Sequence, residues 1–302
     1  MWAAALSAIA ASLSAPAVAQ SMCRVPTPLE EVGWFASAWM QLPTLLLGIL
    51  YAIGLRRLWR AGAGRGVGVA EAGCFGLGLL ALVLVLAGPL RAYGAWSLAA
   101  HMGQHMLLLA LIPPLLLAGR PLAVAACALP AAWSRRVHRA LQPWQSALGR
   151  ALAPATIAHC AAMWLWHTPQ GLQRALDSEA LHWAMHASFL LAGLWFWGAL
   201  WRRIRDPEAG AIPGVVAMVV VMMQMGFIGA LLTFSPRPLY AVYVLRTPAL
   251  GLDPLVDQQL AGLLMWVPSC LPYLVGAGWL LWRGFVRLDR VQGSESADGR
   301  HG

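Results

Sequence analysis

Charged residues are scarce in this sequence. Only 11% of its 302 residues are charged, whereas a soluble domain carries about 25%. Lysine is absent altogether, so all 21 basic residues are arginine. Hydrophobic residues make up 60% of the chain, which leaves too little polar surface to cover a soluble fold. These features exclude an ordinary soluble domain and indicate a protein whose solvent is lipid.

The sequence also lacks the signatures of two other classes of protein. Its formal charge of +9 would suit a nucleic-acid-binding protein, but the arginines occur in short runs beside apolar stretches rather than in one basic patch. We therefore expect no nucleic-acid partner. The five cysteines include no C-x-x-C pair, which argues against a zinc ribbon or a disulfide framework.

Long apolar runs, by contrast, recur along the chain. A membrane-spanning helix needs about 20 such residues, and only helices or closed barrels satisfy their backbone groups within lipid. We predict an all-α, polytopic membrane helix bundle over residues 37–283, with about seven transmembrane helices. The predicted spans are 37–55, 70–89, 96–118, 151–167, 181–200, 211–233 and 259–282.

The positions of the arginines predict how the bundle is oriented. If the N-terminus lies outside, sixteen arginines fall on the inner side and five on the outer side. Basic residues concentrate on the cytoplasmic side of bacterial membrane proteins, so we predict an N-out, C-in, multi-pass protein of the bacterial plasma (inner) membrane. The inner set is Arg56, Arg57, Arg60, Arg65, Arg120, Arg135, Arg136, Arg139, Arg150, Arg202, Arg203, Arg205, Arg283, Arg287, Arg290 and Arg300, and the outer set is Arg24, Arg91, Arg174, Arg237 and Arg246.

The two ends of the chain differ from the bundle. Residues 1–20 are rich in alanine and serine and contain a small-residue pattern at Ala17-Val18-Ala19, so they form either a cleaved signal peptide or a weak N-terminal anchor. Residues 21–36 are predicted to be an outer N-terminal segment. Residues 284–302 are predicted to be a polar cytoplasmic tail, disordered from Gly293 onward.

Histidines lie in or beside the predicted spans, where ionisable residues are costly and mark functional sites. His101 and His105 are four residues apart, as are His182 and His186, so each pair projects from one helical face. In the predicted orientation, the two pairs and His167 share one layer near the outer membrane face. The sequence therefore predicts that these five side chains come together.

Two histidine faces that meet can bind a metal ion. Imidazole suits copper, zinc, iron and nickel, and thioether sulfur from nearby methionines would favour Cu(I). We predict a copper site whose ligands are His101, His105, His167, His182 and His186. Candidate supporting residues around these ligands are His159 (about 12 Å deeper than His167), Asp257, Met222 and Met225. Asp257 would either cap the start of the last span or orient a liganding imidazole.

Other functions stay open at this point. A zinc hydrolase of the H-E-x-x-H kind needs a carboxylate base, but the residues within the two pairs are Met-Gly-Gln and Trp-Ala-Met. A bis-histidine haem protein needs rings that face each other across a gap, which crowded pairs match poorly. Copper handling fits best. The alternatives are a haem-binding membrane redox protein, a seven-helix metal-dependent hydrolase and a metal-free interaction scaffold, and we expect no enzymatic activity.

The segment between Phe234 and Asp257 is long for a connection between membrane helices. It carries Tyr240, Tyr243 and several prolines. We predict that it docks a partner protein at the outer face. The alternative is an interfacial loop that its aromatic residues anchor in the membrane surface.

Short motifs follow one another through the apolar spans. They are His101-Met-Gly-Gln-His105 with Pro113-Pro114 and Gly119-Arg120-Pro121, Trp166-His167-Thr168-Pro169, Leu181-His182 with His186, Leu232-Thr233-Phe234-Ser235-Pro236 with Leu239-Tyr240, and Asp257-Gln258-Gln259-Leu260-Ala261-Gly262 with Met265-Trp266. In this order, over roughly residues 35–285, they resemble the CtaG family of cytochrome c oxidase assembly factors. The resemblance implies a seven-helix plasma-membrane protein that helps mature a haem–copper oxidase through copper. It also implies that the partners are oxidase subunits and copper ion within the lipid bilayer, and that the matching histidines are candidate ligands.

Overall fold

The computed structural model describes residues 41–206 and 210–298. Nearly all of these residues are helical, which confirms the all-α prediction. The predicted N-terminal segments 1–20 and 21–36, and residues 37–40 of the first predicted span, lie outside the described residues.

The described helices are numbered α1 to α13 in chain order. Short 3₁₀ or π-helical turns adjoin some of them. The α-helices are α1 Leu42–Leu58, α2 Val69–Ala87, α3 Pro89–Gly94, α4 Leu98–Met106, α5 Ile112–Ala118, α6 Pro121–Ala126, α7 Ala131–Arg150, α8 Leu152–His167, α9 Pro169–Asp177, α10 Glu179–Arg205, α11 Ile212–Phe234, α12 Ala241–Arg246 and α13 Pro254–Asp298, and the other turns are Trp59–Ala61, Leu107–Leu111 and Thr247–Leu250.

Five stretches of helix in the described residues are long and apolar enough to cross a membrane, so the chain has the character of a membrane protein. They are α2, the continuous helix Leu98–Ala118, α10, α11 and the Pro254–Arg287 part of α13. The predicted spans 37–55 and 151–167 correspond to α1 and α8, which have 17 and 16 residues. At 1.5 Å per residue, α1 is about 26 Å long, short of a hydrocarbon core of about 30 Å. The count of seven spans and the N-out orientation therefore stay predictions.

The helix Leu98–Ala118 is the central element of the bundle. It joins α4, the π-helical turn Leu107–Leu111 and α5, and it packs against α2, α10 and α13. Within the most apolar 18 residues of this helix, 61% of the residues are buried. The corresponding share for α2 is 22%. Gly193 of α10 permits close approach, because a Cβ there would lie 3.0 Å from the carbonyl oxygen of Leu109.

Two prolines explain the π-helical turn. Pro113 and Pro114 have no backbone N–H, so they cannot donate to the carbonyls one turn earlier. The carbonyl oxygen of Leu109 instead accepts hydrogen bonds from Trp197 Nε1 at 3.1 Å and from the Tyr273 hydroxyl at 3.5 Å. The irregular turn thus presents a polar backbone group to α10 and α13 in the middle of the bundle.

Helices α11 and α13 form an extensive helix pair. They cross at Gly229 and Gly262, where an added Cβ on either glycine would lie within 2.8 Å of the carbonyl oxygen of the other. Small residues of this kind let helix backbones approach closely within lipid. The pair holds α13 in place, and α13 in turn packs along α4, which carries two of the clustered histidines.

Helix α13 continues further than expected. It remains helical past Pro268 because the Ser269 hydroxyl donates at 2.7 Å to the Leu264 carbonyl, which the proline leaves without a backbone donor. It also extends into the predicted polar tail as far as Asp298, and the predicted disorder of the tail stays a prediction.

The connection between the third and fourth predicted spans is also more regular than a loop. It contains α7, a 20-residue helix in which no residue is buried. Its last residue, Arg150, lies at the same end of the bundle as the C-terminal end of α10, where Arg202, Arg203 and Arg205 are found. Since α10 begins near His182 and ends in arginines, the histidines and this arginine group lie at opposite ends of one long helix.

Candidate metal centre

The five histidines predicted as ligands lie at one end of the bundle. His101 and His105 occupy the first two turns of α4, His182 and His186 occupy the first turns of α10, and His167 is the last residue of α8. All five are buried, with no more than 7% of any residue exposed. We refer to these five side chains as the histidine cluster.

The imidazole rings of the histidine cluster contact one another within and between helices. The ring centroids of each i, i+4 pair are close, 4.4 Å apart for His101 and His105 and 4.5 Å apart for His182 and His186. Between helices, His101 lies 5.6 Å from His182, and His105 lies 5.9 Å from His186. His167 joins from α8, 5.2 Å from His105. The faces that the spacing predicted therefore do converge.

Two backbone carbonyls set the orientation of two of these rings. His101 Nδ1 is hydrogen-bonded to the Gly94 carbonyl at 3.2 Å, and His167 Nδ1 is hydrogen-bonded to the Met163 carbonyl at 2.6 Å. A carbonyl can only accept, so Nδ1 carries the proton in each ring and Nε2 presents a lone pair. This is the arrangement by which metal-binding histidines are commonly held.

Six ring nitrogens of the histidine cluster have no hydrogen-bond partner among the protein groups. They are Nε2 of His101, Nε2 of His167, and both nitrogens of His105 and His186. Buried polar groups in proteins are nearly always hydrogen-bonded, and leaving one unsatisfied costs about 1–3 kcal/mol. Each neutral ring has one lone pair, so four of these nitrogens could bind a ligand that accepts lone pairs.

The side chains of the cluster are not drawn together as a set of metal ligands in this structure. Among residues 41–206 and 210–298, no group of three or more His, Cys, Asp or Glu side chains is arranged to bind one. Metal–imidazole nitrogen distances are about 2.0–2.1 Å for zinc, and similarly short bonds to one ion would require the rings to turn and draw together. The donor chemistry fits a metal, whereas ligation itself stays a prediction.

A pair of tyrosines covers one side of the histidine cluster. The Tyr243 hydroxyl donates at 2.8 Å to the same Gly94 carbonyl that His101 contacts, and the Tyr240 hydroxyl donates at 2.6 Å to the His167 carbonyl. Both tyrosines are buried, and this burial raises the pKa of each phenol above its ordinary value, so both remain protonated donors. Both side chains pack inward as a cover, so any docking by the segment between Phe234 and Asp257 would use its other residues, and that docking stays a prediction.

Asp257 supports α4 rather than an imidazole ring. Its carboxylate accepts from the Ser97 hydroxyl at 2.7 Å and from the Leu98 backbone N–H at 2.6 Å, at the first turn of α4. The start of α13 is capped instead by Asp253, whose carboxylate accepts from the N–H groups of Leu255 and Val256. The expected capping of the last span by Asp257 is thus wrong. Asp257 fixes the helix that carries His101 and His105.

His159 belongs to a different environment. Its Nε2 is hydrogen-bonded to the Tyr273 hydroxyl at 3.0 Å, and Phe196 packs beside its ring at 5.0 Å between centroids. It is eight residues from His167 on α8, about 12 Å deeper into the bundle. His159 therefore lies in surroundings of its own, and its predicted role as a supporting residue around the ligands stays a prediction.

Comparison with known proteins identifies the family. A family model for the cytochrome c oxidase caa3 assembly factor, Caa3_CtaG, matches residues 49–286. The chain belongs to this family. The matched stretch includes the whole histidine cluster, the two covering tyrosines and Asp257, and it confirms the resemblance that the sequence motifs indicated.

Relatives in mycobacteria are similar over most of this chain. Uncharacterized proteins of Mycobacterium bovis and Mycobacterium tuberculosis are each 28% identical to it over 247 residues, covering 76% of this chain and 36% of the relative. An uncharacterized protein of Mycobacterium leprae is 27% identical over 256 residues, covering 80% of this chain and 38% of the relative. The chain thus spans little more than a third of the length of these relatives. No solved structure matches.

The two methionines predicted to support the copper site of this Caa3_CtaG family member lie on α11. Met225 is fully buried and Met222 is partly buried. Helix α11 packs mainly on α13 and α8, so both methionines enter the interior from a helix other than those that carry the histidine pairs. Met102 and Met185, within the pairs themselves, are also fully buried.

Three contributors to the site were not predicted. Phe189 packs 4.5 Å from the ring of His105 and 5.8 Å from that of His167, closing the inner side of the cluster. Phe189 lies three residues after His186 and therefore on the same face of α10, and this spacing could have predicted its contact with the cluster. Arg91 stacks over Trp183 at 5.6 Å beside the second histidine pair. The Gly94 carbonyl carries no sequence signal, because any residue has a carbonyl.

Proposed function

We propose that this protein helps assemble a haem–copper oxidase by holding Cu(I) in the histidine cluster and passing it to an oxidase subunit. The family assigns the chain to cytochrome c oxidase assembly. The six unpartnered imidazole nitrogens in one buried cluster are the observation that carries the copper hypothesis. Copper is the cargo in this scheme, and the protein acts as its carrier rather than as an enzyme.

The chemistry of the cluster suits transfer as well as binding. Imidazoles are good ligands for copper, and the five residues include no thiolate, which would bind Cu(I) more tenaciously. His101 and His167 present Nε2 because backbone carbonyls hold their Nδ1 protons. His105 and His186 have no protein partner at either nitrogen, so their rings can turn towards an ion without breaking a hydrogen bond.

The arginine distribution supports delivery on the outer side of a bacterial plasma membrane. Helix α10 begins with the second histidine pair and ends with Arg202, Arg203 and Arg205. If the arginine end lies in the cytoplasm, as basic residues usually do, the histidine cluster opens towards the outer face. An oxidase subunit that takes up copper there would meet the cluster beside the Tyr240–Tyr243 cover.

The hydrolase alternative is weakened by the position of Asp257, the carboxylate proposed as its base. Asp257 accepts from Ser97 and Leu98, so both of its oxygens serve the start of α4. A general base must instead reach a proton of the attacking water. The haem alternative is tested by the same purified preparation, because bound haem gives an intense Soret absorption band.

The decisive experiment compares H105A/H186A with H138A in the full chain. The double substitution removes two buried rings without breaking a hydrogen bond within the protein, and insertion of the variant in the membrane is checked alongside copper binding. His138 is an exposed imidazole on α7 and controls for surface binding. After loading with Cu(I) and desalting in detergent, copper per protein should fall to background in H105A/H186A and remain unchanged in H138A.

The same variants are then expressed in cells that lack the native protein. The oxidase should be short of copper and of activity with H105A/H186A, and normal with H138A. If H105A/H186A inserts, binds copper as the unmodified protein does and supports normal oxidase activity, the proposal is wrong, and the histidine cluster is a structural feature.

A further inference from the structure

Helix α7, Ala131–Arg150, leaves a complete apolar face uncovered. Trp133, Leu141, Trp144 and Leu148 recur at helical spacing along one side. Their exposed fractions are 59%, 37%, 69% and 45%. A monomer seldom exposes two tryptophans and two leucines in one continuous stripe without something to cover them.

The opposite face of α7 is basic. Arg135, His138, Arg139 and Arg150 lie on it, and all four are exposed. Residues 131–150 contain no aspartate or glutamate, so nothing within the helix neutralises these charges. Arg136 lies at the boundary between the faces, where its guanidinium stacks over Trp133 at 5.5 Å. A basic helix with aromatic residues along its apolar side is typical of segments that lie in a membrane surface.

Contacts with α10 place α7 at the arginine-rich end of the bundle. The Trp195 indole N–H donates at 3.1 Å to the Leu148 carbonyl. Gly149 packs against Arg202, whose Cδ would lie 2.6 Å from an added Cβ. The helix is thus attached at the level where the membrane-spanning part of α10 ends, which is the depth of the headgroups.

We propose that α7 lies in the plane of the membrane and binds anionic phospholipid headgroups. Trp133, Trp144 and the leucines would enter the boundary between headgroups and acyl chains, and the arginines would contact lipid phosphates. Charge complementarity selects this occupant, because an uncompensated row of arginines matches an anionic lipid surface.

The test uses the full chain with its five cysteines replaced by alanine and one spin label attached at A140C or Q142C. Ala140 lies on the apolar face and Gln142 on the opposite face. In vesicles that contain phosphatidylglycerol, the label at position 140 should collide mainly with oxygen, and the label at position 142 mainly with a water-soluble nickel chelate. Adding R135Q/R139Q should lower the ratio of lipid-inserted to water-exposed label by about five-fold for each arginine lost.

The matched control removes the same charge at the other end of the bundle. Arg174 and Arg237 are exposed, and R174Q/R237Q should leave the label at position 140 in lipid. A second measurement avoids the cysteine replacements: the unmodified chain, extracted in mild detergent, should retain more phosphatidylglycerol than R135Q/R139Q and the same amount as R174Q/R237Q.

Three outcomes would overturn the proposal. The label at position 140 could be water-accessible in vesicles with and without phosphatidylglycerol. The label could be equally embedded in purely zwitterionic vesicles whether or not Arg135 and Arg139 are present. In that case α7 would be an apolar anchor that does not select anionic lipid. The label could also be protected only when an oxidase subunit or a second copy of this chain is bound. None of these results bears on copper binding by the histidine cluster.

Discussion

The histidine cluster and the single deeper histidine, His159, differ in what surrounds their imidazole rings. In the histidine cluster, six ring nitrogens have no protein partner. In the deeper region, His159 Nε2 is hydrogen-bonded to Tyr273, whose hydroxyl also contacts the Leu109 carbonyl, while His159 Nδ1 has no protein partner. Both regions are buried to a similar degree, so burial alone does not distinguish them.

The difference teaches how to separate a structural histidine from a candidate ligand. His159 belongs to a network that joins α8, α13 and the π-helical turn, and this network satisfies a carbonyl released by Pro113. Such a network stabilises the fold. The cluster rings contact each other instead, and unsatisfied buried groups are retained in proteins mainly where they serve a function. The comparison makes opposite predictions for the two regions.

The largest expected difference is in copper affinity. H186A removes a ring that has no competing hydrogen bond, so its loss of copper affinity reports the missing ligand rather than a broken hydrogen bond. We expect the affinity for Cu(I) to fall by about 100-fold or more, since losing even an outer partner of a metal ligand costs about 10–100-fold. H159A should change it by less than about three-fold. Competition with a colorimetric Cu(I) chelator measures both values, and similar losses in the two variants would remove the distinction.

Stability should show the reverse order. H159L leaves the Tyr273 hydroxyl without its imidazole partner and should lower the free energy of unfolding by about 1–3 kcal/mol. H105L breaks no hydrogen bond, because neither nitrogen of His105 has a protein partner. Replacing an unsatisfied polar group by an apolar one of similar size should change stability by less than about 1 kcal/mol, or raise it. Unfolding in mixed detergent micelles is the measurement, and a larger loss in H105L than in H159L would contradict the comparison.

Sequence patterns predicted the meeting of the two histidine pairs because helical periodicity fixes which residues share a face. The i, i+4 spacing of His101 with His105 is a local property, and the order of the spans sets which helix ends lie together. The depth of His159 followed from the same 1.5 Å rise. The family motifs also identified the Caa3_CtaG membership that the family model confirms.

What the sequence could not supply were contacts between distant segments. The inward packing of Tyr243 depends on a carbonyl at Gly94, 149 residues away, and carbonyls leave no trace in a sequence. Asp257 likewise reaches Ser97 across 160 residues, so its place in the chain suggested a cap for the wrong helix. Helix α7 was not predicted because its sequence mixes apolar and basic residues. The average hydropathy of such a segment is low, so the segment resembles a polar loop when spans are sought as long apolar runs.

An intermediate effect is expected for D257A, which acts on the cluster through α4. The substitution leaves the Ser97 hydroxyl and the Leu98 N–H without their acceptor, which should cost about 1–2 kcal/mol of stability. Because α4 carries His101 and His105, copper affinity should also fall, by about ten-fold or less. D257N keeps the shape and one acceptor and should lie between D257A and the unmodified protein. Loss of copper without loss of stability in D257A would instead indicate that the carboxylate contacts the ion.

The smallest effect should come from Y243F, which tests whether the tyrosine cover holds the cluster or only closes it. Tyr243 and His101 share the Gly94 carbonyl, so removing the phenol hydroxyl leaves that carbonyl still satisfied by the ring. We therefore expect a stability loss of about 0.5–1.5 kcal/mol and a change in Cu(I) affinity of about three-fold or less. Y240F is the matched control, because Tyr240 donates to the His167 backbone carbonyl rather than to a group that orients a ring. If Y243F lost copper as fully as H186A while Y240F did not, Tyr243 would be part of the binding site, and the boundary between the ligands and their cover would have to be redrawn.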